Sequence, residues 1–344
     1  MLSGSTMRIP ISLSMLPMLC SMVLSQSVVV VPGANSTTRG TTDLDVLTRA
    51  AGSHGTYMMG IGAQELALIQ SGAILTGISF RAAPAAVTTS WPASVTSFSE
   101  YSISIGDAVP MDAWQTTFAS NFFRAPVSVR SGAMVIEAKS VPALASVPVK
   151  QANEFSEFYW DLEEPFSYSG GNLAILITHK GGSRTSGTCP FDAVASGGNT
   201  RALSADTYKA ATGASAAFCV VRLHFGAGNG CPGTRGKVPN FVLSNDVLSG
   251  GSATFAVSNG PPNAPAVYAL GTHGWSWTLP NGCWVYHDAA VMVPVTLSSY
   301  GRATLKGTFQ SGVYGAVYGQ VFVLDPGATY GLSGSLAAML LVWP

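Results

Sequence analysis

The stretch EFSEFYWDLEEPFSYSGGNLAILITHKG, Glu154 to Gly181, carries the strongest fold signal in the chain. Phe158, Trp160 and Leu162 alternate with Glu157, Tyr159 and Asp161, the period-two pattern of a strand with one buried face. Leu173 to Thr178 is nearly all apolar, which predicts a strand covered on both faces. Between them, Glu163-Glu164-Pro165-Phe166 runs into Gly170-Gly171. That turn chemistry predicts a hairpin, with Trp160, Phe166 and the Leu173–Ile177 run packed into a core.

Similar segments lie on either side. Ile74–Arg81 reads as a strand, and Phe98–Gly106 sets Tyr101, Ile103 and Ile105 against Ser102 and Ser104. Tyr57–Ile69 fits a strand pair or a short helix equally well, and Met111–Phe123 holds room for one short helix. Val127–Arg130 and Ala133–Ala138 form an expected strand pair around Ser131-Gly132, and Ala216–Phe225 an expected closing strand. Strands at such intervals without a βαβ rhythm predict an all-β protein, two antiparallel β-sandwich domains of jelly-roll-like type. Gly226–Gly230 is the expected linker; its GxGxG spacing is no dinucleotide fingerprint, because Cys231-Pro232 stands where a helix should open. The expected division is therefore a signal peptide and leader over 1–34, a first domain over 35–226 and a second over 227–344. In the second, strands are expected at Asn240–Val247, Ser252–Ser258, Ala266–Leu270, Trp284–Ala290, Met292–Leu297, Gly301–Phe309 and Val317–Leu324, with a buried final strand within Leu336–Trp343.

The 17 basic and 17 acidic residues cancel, and charged residues make up 10% of the chain. With no basic surplus to neutralise phosphates, nucleic acid is not an expected partner. The 38 Gly and 20 Pro fit many short strands and turns. Arg8 followed by the apolar run Ile9–Leu24 has the plan of a secretory signal peptide, with cleavage after Ser25, Ser27 or Ala34. The alternative is an uncleaved anchor, since apolar character resumes at Val28–Val31. The cleaved form is expected outside the cell or in its envelope, without a membrane span. Removal of the signal leaves Cys189, Cys219, Cys231 and Cys283, an even count that predicts disulfides. Four cysteines allow three pairings, and a boundary near 226 favours Cys189–Cys219 and Cys231–Cys283, each inside one domain.

Several pieces together resemble a group of secreted two-module proteins from planctomycete-type bacteria. In the first part these are ILTGISFR, SISIGDA followed by TTFASNF, VRSGAMVIEA and WDLEEPFSYSGGNLAILI; in the second, the opening GCPGT (Gly230–Thr234), LPNGC (Leu279–Cys283) and YGQVFVLDPGA (Tyr318–Ala328). The resemblance covers most of residues 55–335 and implies exported β-sandwich modules with no active site carried over. It also implies the Cys231–Cys283 pairing. The ending LAAMLLVWP is more apolar than the group's pattern.

Catalytic motifs are thin. Asp161 and Glu163 would stand about 7 Å apart on a continuing strand, within the range of a glycosidase carboxyl pair, beside Glu157 and Glu164. A solvated strand face explains the same cluster. No GxSxG elbow or HExxH pattern occurs, and His287-Asp288, being adjacent on a strand, should face opposite sides. No metal or cofactor is expected. The best binding candidate is the aromatic segment from Gly274 to Tyr286. Trp275 and Trp277 are expected on one strand face, with Asn281 and Trp284 nearby, a set suited to stacking on sugar rings. The alternative is that these rings fill a core around a disulfide. The expected function is a non-enzymatic structural or adhesive surface protein whose partners are extracellular glycans or other surface proteins. A carbohydrate-binding module is the alternative, and a secreted glycoside hydrolase the more distant one.

Overall fold

The computed structural model describes residues 28–83, 89–141, 160–185, 188–226, 230–243, 247–279 and 283–344. The protein is all-β, its helical content confined to short 3-10 turns among the described residues. The chain divides into two compact units, Val28–His224 and Phe225–Pro344.

The first unit is built on a six-stranded antiparallel sheet in the order Ala214–Ser215, Thr200–Ala205, Gly55–Ile61, Leu173–His179, Tyr101–Asp107, Val127–Arg130. Leu173–His179 is central in it and buried almost throughout, as its apolar run requires. One face of this sheet packs on a four-stranded sheet of Val28–Val31, Val221–Gly226, Ile74–Phe80 and Trp160–Ser167. The two sheets meet at Trp160, whose indole Nε1 donates to the Tyr101 hydroxyl at 2.8 Å and whose ring packs edge-on against Phe80. The other face is covered by the 108–122 segment through Ala108, Met111, Phe118 and Phe122 on Met58, Ala174 and Leu203.

Four sequence expectations are corrected here. Trp160–Ser167 and Leu173–His179 are no hairpin: the first pairs with Ile74–Phe80 and the second with Gly55–Ile61 and Tyr101–Asp107, so the Gly170-Gly171 turn carries the chain from one sheet to the other. The strand also runs on through Glu163-Glu164-Pro165-Phe166 instead of turning there. Pro165 is tolerated because this strand is the edge of its sheet, where a missing N–H breaks no ladder. Val127–Arg130 and Met134–Ile136 likewise pair with Tyr101–Asp107 and Thr96–Phe98, not with each other. The first unit starts earlier than residue 35, since Val28–Val31 pairs antiparallel with Val221–His224. The open expectation at Tyr57–Ile69 resolves into the strand Gly55–Ile61 and a 3-10 turn, Ala63–Leu66, and Met111–Phe123 holds two 3-10 turns, Met111–Ala113 and Phe118–Asn121. Residues 1–27 and 142–159, with the expected signal peptide and Glu157, lie outside the described residues.

In the second unit, Asn240–Leu243, Ser252–Ser258 and Ala303–Thr308 form one sheet. A larger sheet runs Val247–Leu248, Ala338–Trp343, Gly315–Leu324, Pro265–Gly271, Val291–Thr296. Phe241, Phe255, Tyr268, Val321, Val323 and Leu340 are among the residues that fill the core between them. The apolar C-terminus is thus a strand, antiparallel to Gly315–Leu324 and parallel to Val247–Leu248.

Candidate functional site

The aromatic segment forms a two-stranded ribbon, Gly274–Thr278 against Trp284–His287. It lies on the outer face of the larger sheet, where Val285 packs with Ala269 and Phe322. Alternation puts Gln320 on the same outer face as Phe322, and Gln320 is wholly buried beneath the ribbon. Its Oε1 accepts from the Tyr286 N–H at 2.8 Å, and its Nε2 donates to the Trp284 and Ser335 carbonyls at 3.1 and 3.0 Å. One amide thereby ties down the strand that carries the aromatic pair.

A second tie is covalent. Cys231 and Cys283 form a disulfide, with Cα atoms 5.4 Å apart, at the start of the second ribbon strand. Close by in the chain, the Thr234 N–H and hydroxyl and the Gly327 N–H all donate to the buried Asp325 carboxylate. A Cβ on Gly233 would sit 2.0 Å from Asp325 Oδ2, so only glycine lets the chain pass that close. The GCPGT segment therefore meets LPNGC through the disulfide and YGQVFVLDPGA through Asp325.

The register places Trp277 and Trp284. Trp277 stands across from Val285 and Thr278 across from Trp284, so Trp277 and Trp284 project from opposite faces of the ribbon. A register shift lies between Gly274 and Trp277. The Trp275 side chain and all of Asn281 lie outside the described residues. Trp277 is 44% and Trp284 41% exposed, so neither is core. The Trp284 ring stacks on Tyr286, 6.2 Å between centroids and 17° between planes, while Tyr286 is only 6% exposed. Tyr286 thus backs Trp284 with a fixed, buried surface.

The remaining sequence candidates separate. Cys189 and Cys219 are free, buried thiols, which corrects the expected bridge. Cys219 stands opposite Ala193, four residues past Cys189, or about 13 Å along an extended chain. A disulfide needs Cα atoms within about 7 Å. Burial pushes both thiols up to about 12. Glu163 is held by Arg130 at 3.8 Å, an ion pair between the two sheets, and Glu164 is exposed. Asp288 pairs with the exposed His273, 3.3 Å away, and not with its neighbour His287. His287 is wholly buried, its Nδ1 accepting from the Ala289 N–H at 2.9 Å, and burial lowers its pKa to about 4 against the pull of Asp288. Gln320 escaped the sequence reading, although a lone amide within YGQVFVL was the available signal.

No family model matches the chain, and no curated protein matches it. Among solved structures it is similar to the PmoD soluble domain from Methylocystis sp. ATCC 49242 (Rockwell), at 14% identity and a TM-score of 0.22, over 33% of this chain and 99% of that one. It is also similar to a beta-1,2-glucanase from Parabacteroides distasonis, at 10% identity and a TM-score of 0.19, over 80% of this chain and 28% of that one.

Proposed function

We propose that this is an exported, non-enzymatic protein of the cell surface or exterior, which attaches to surface glycan through the ribbon of its second unit. The carrying observation is that Trp277 and Trp284, expected either as core or as contact, are both over two-fifths exposed on a ribbon fixed by Gln320 and a disulfide. Large aromatic rings held rigidly in water are expensive to leave uncovered and suit stacking on the apolar face of a sugar ring. The two rings point to different sides of the ribbon, and each is exposed enough to offer a stacking surface of its own. The Cys231–Cys283 bridge supports an oxidising compartment, where buried Cys189 and Cys219 would be shielded from oxidants. The hydrolase alternative is weaker, because Glu163 is already engaged by Arg130.

The test is a glycan array probed with the full chain and with the Trp277→Ala/Trp284→Ala protein. Glycan binding should fall by about tenfold or more in the variant while its thermal midpoint stays within a few degrees. Equal binding by both proteins would refute attachment through the ribbon.

A further inference from the structure

A second polar site stands in the first unit. A cleft of about 400 Å³ opens where strands Gly55–Ile61 and Thr200–Ala205 end, lined by Gln64, Pro110, Asp112, Asn172, Asn199 and Arg201 among others. Its volume lies in the range of small-ligand pockets. Its walls are braced. The Asn172 side chain accepts from the Ala63 N–H at 2.9 Å and donates to the Val109 carbonyl at 3.4 Å, joining two of the lining loops. Asn199 donates through Nδ2 to Gln64 Oε1 at 2.7 Å, and its carbonyl takes the Gly62 N–H.

The groups left over form a distinctive set. Arg201 bonds only through Nη1, to the Gly198 and Thr200 carbonyls, among the described residues. Its register partner is Gly60, and a Cβ there would collide with the Trp114 ring at 2.1 Å, so the ring lies directly over that point of the sheet beside Arg201. Asp112 is exposed and makes no ion pair among the described residues, with Arg201 or any other cation. With Asn199 Nδ2 spent on Gln64 Oε1, each of those amides keeps its other end: Gln64 a donor, Asn199 an acceptor. Two donor groups and two acceptor groups thus line one cleft, with Pro110 and Met111 supplying apolar wall.

We propose that this cleft binds a neutral sugar residue. Each hydroxyl of a sugar both donates and accepts, so adjacent hydroxyls match a mixed set of donors and acceptors, and the C–H face suits the Pro110 and Met111 wall. A zwitterion such as glycine could also reach these donors and acceptors, but it offers no extended C–H face to Pro110 and Met111 and leans on ion pairs with Asp112 and Arg201. These are solvent-open, where ion pairs add little.

Saturation-transfer NMR on the full chain tests this with glucose, galactose, mannose and xylose as probes, and galacturonate and glycine as charged arms. At least one neutral sugar should receive saturation. Measured in the Trp277→Ala/Trp284→Ala background, which removes the rings of the ribbon, its affinity should drop about tenfold when Asp112→Ala or Arg201→Gln is added. Asp112→Ala removes an exposed, unpaired side chain, so it reports on binding even if Arg201→Gln loosens the loop. The proposal falls if no neutral sugar is saturated, if glycine or galacturonate is preferred, or if Asp112→Ala binds as the unmodified chain does. Loss of signal in the double tryptophan variant would move the sugar to the ribbon and overturn the cleft.

Discussion

Arg81 closes the strand Ile74–Phe80 and is wholly buried, an arrangement a guanidinium adopts only when every direction is satisfied. Its Nε donates to Asp192 at 2.7 Å, and Nη1 and Nη2 donate to the Asn35 and Thr38 carbonyls at 2.9 and 2.7 Å. Asp192 in turn accepts from the Gly40 N–H. The polar segment from Asn35 to Gly40 is therefore clamped to the first unit. Arg81→Leu leaves a buried carboxylate without its cation and should cost about 3–5 kcal/mol in chemical denaturation. Replacing Asp192 as well should cost much less than the two single losses added together. His287 supplies a second prediction at this scale. Its folded pKa of about 4 lies below the unfolded value of about 6.5, so the unfolded chain holds more protons between those limits. The contribution is complete above pH 6.5 and disappears as pH falls to 4, on the order of 3 kcal/mol. His287→Asn should flatten the fall of the thermal midpoint across that window. An unchanged slope would assign the acid sensitivity elsewhere, to His179 and His224, whose pKa values burial also lowers.

Among the elements, the ribbon depends on contacts far away in sequence. The disulfide closes a separation of 52 residues, and Cys231→Ser/Cys283→Ser should lower stability by about 4 kcal/mol on loop entropy alone. Gly233→Ala drives a methyl into the Asp325 carboxylate and should destabilise the second unit without touching the bridge, which non-reducing mass spectrometry would show intact. Such contacts also explain what could be read in advance. Strand identity was legible wherever apolar periodicity was strong: Ser252–Ser258 matches residue for residue, and Trp160 and Phe166 are core. Partner choice was not. Gly170-Gly171 announces a chain reversal, yet whether the chain returns along the same sheet or crosses to the facing one depends on Ile74–Phe80, some ninety residues upstream. The pairing within the ribbon was hidden for a related reason. A one-residue register shift between Gly274 and Trp277 leaves no mark in composition, yet it sets which residue of the second strand Trp277 stands across from.

At the scale of the whole molecule, the first unit constrains where an exported chain can be cut. Val28–Val31 is the edge strand of the four-stranded sheet, paired residue for residue with Val221–His224, and Val31 is fully buried. Cleavage after Ala34 would remove that strand whole, strip the ladder from Val221–His224 and expose the surface that Val31 covers. It would also put a charged amine at Asn35, whose carbonyl takes an Arg81 hydrogen bond. Cleavage after Ser25 or Ser27 leaves the strand intact. Small residues near the cut mark all three sites alike in the sequence. Under the proposed export, the mature protein should begin at Gln26 or Val28, as intact-mass measurement of material from the culture medium or envelope would show. A form beginning at Asn35 should melt markedly lower, since an edge strand and its buried valine are lost together. A mature chain that starts at Asn35 and keeps full stability would contradict the role assigned to this strand.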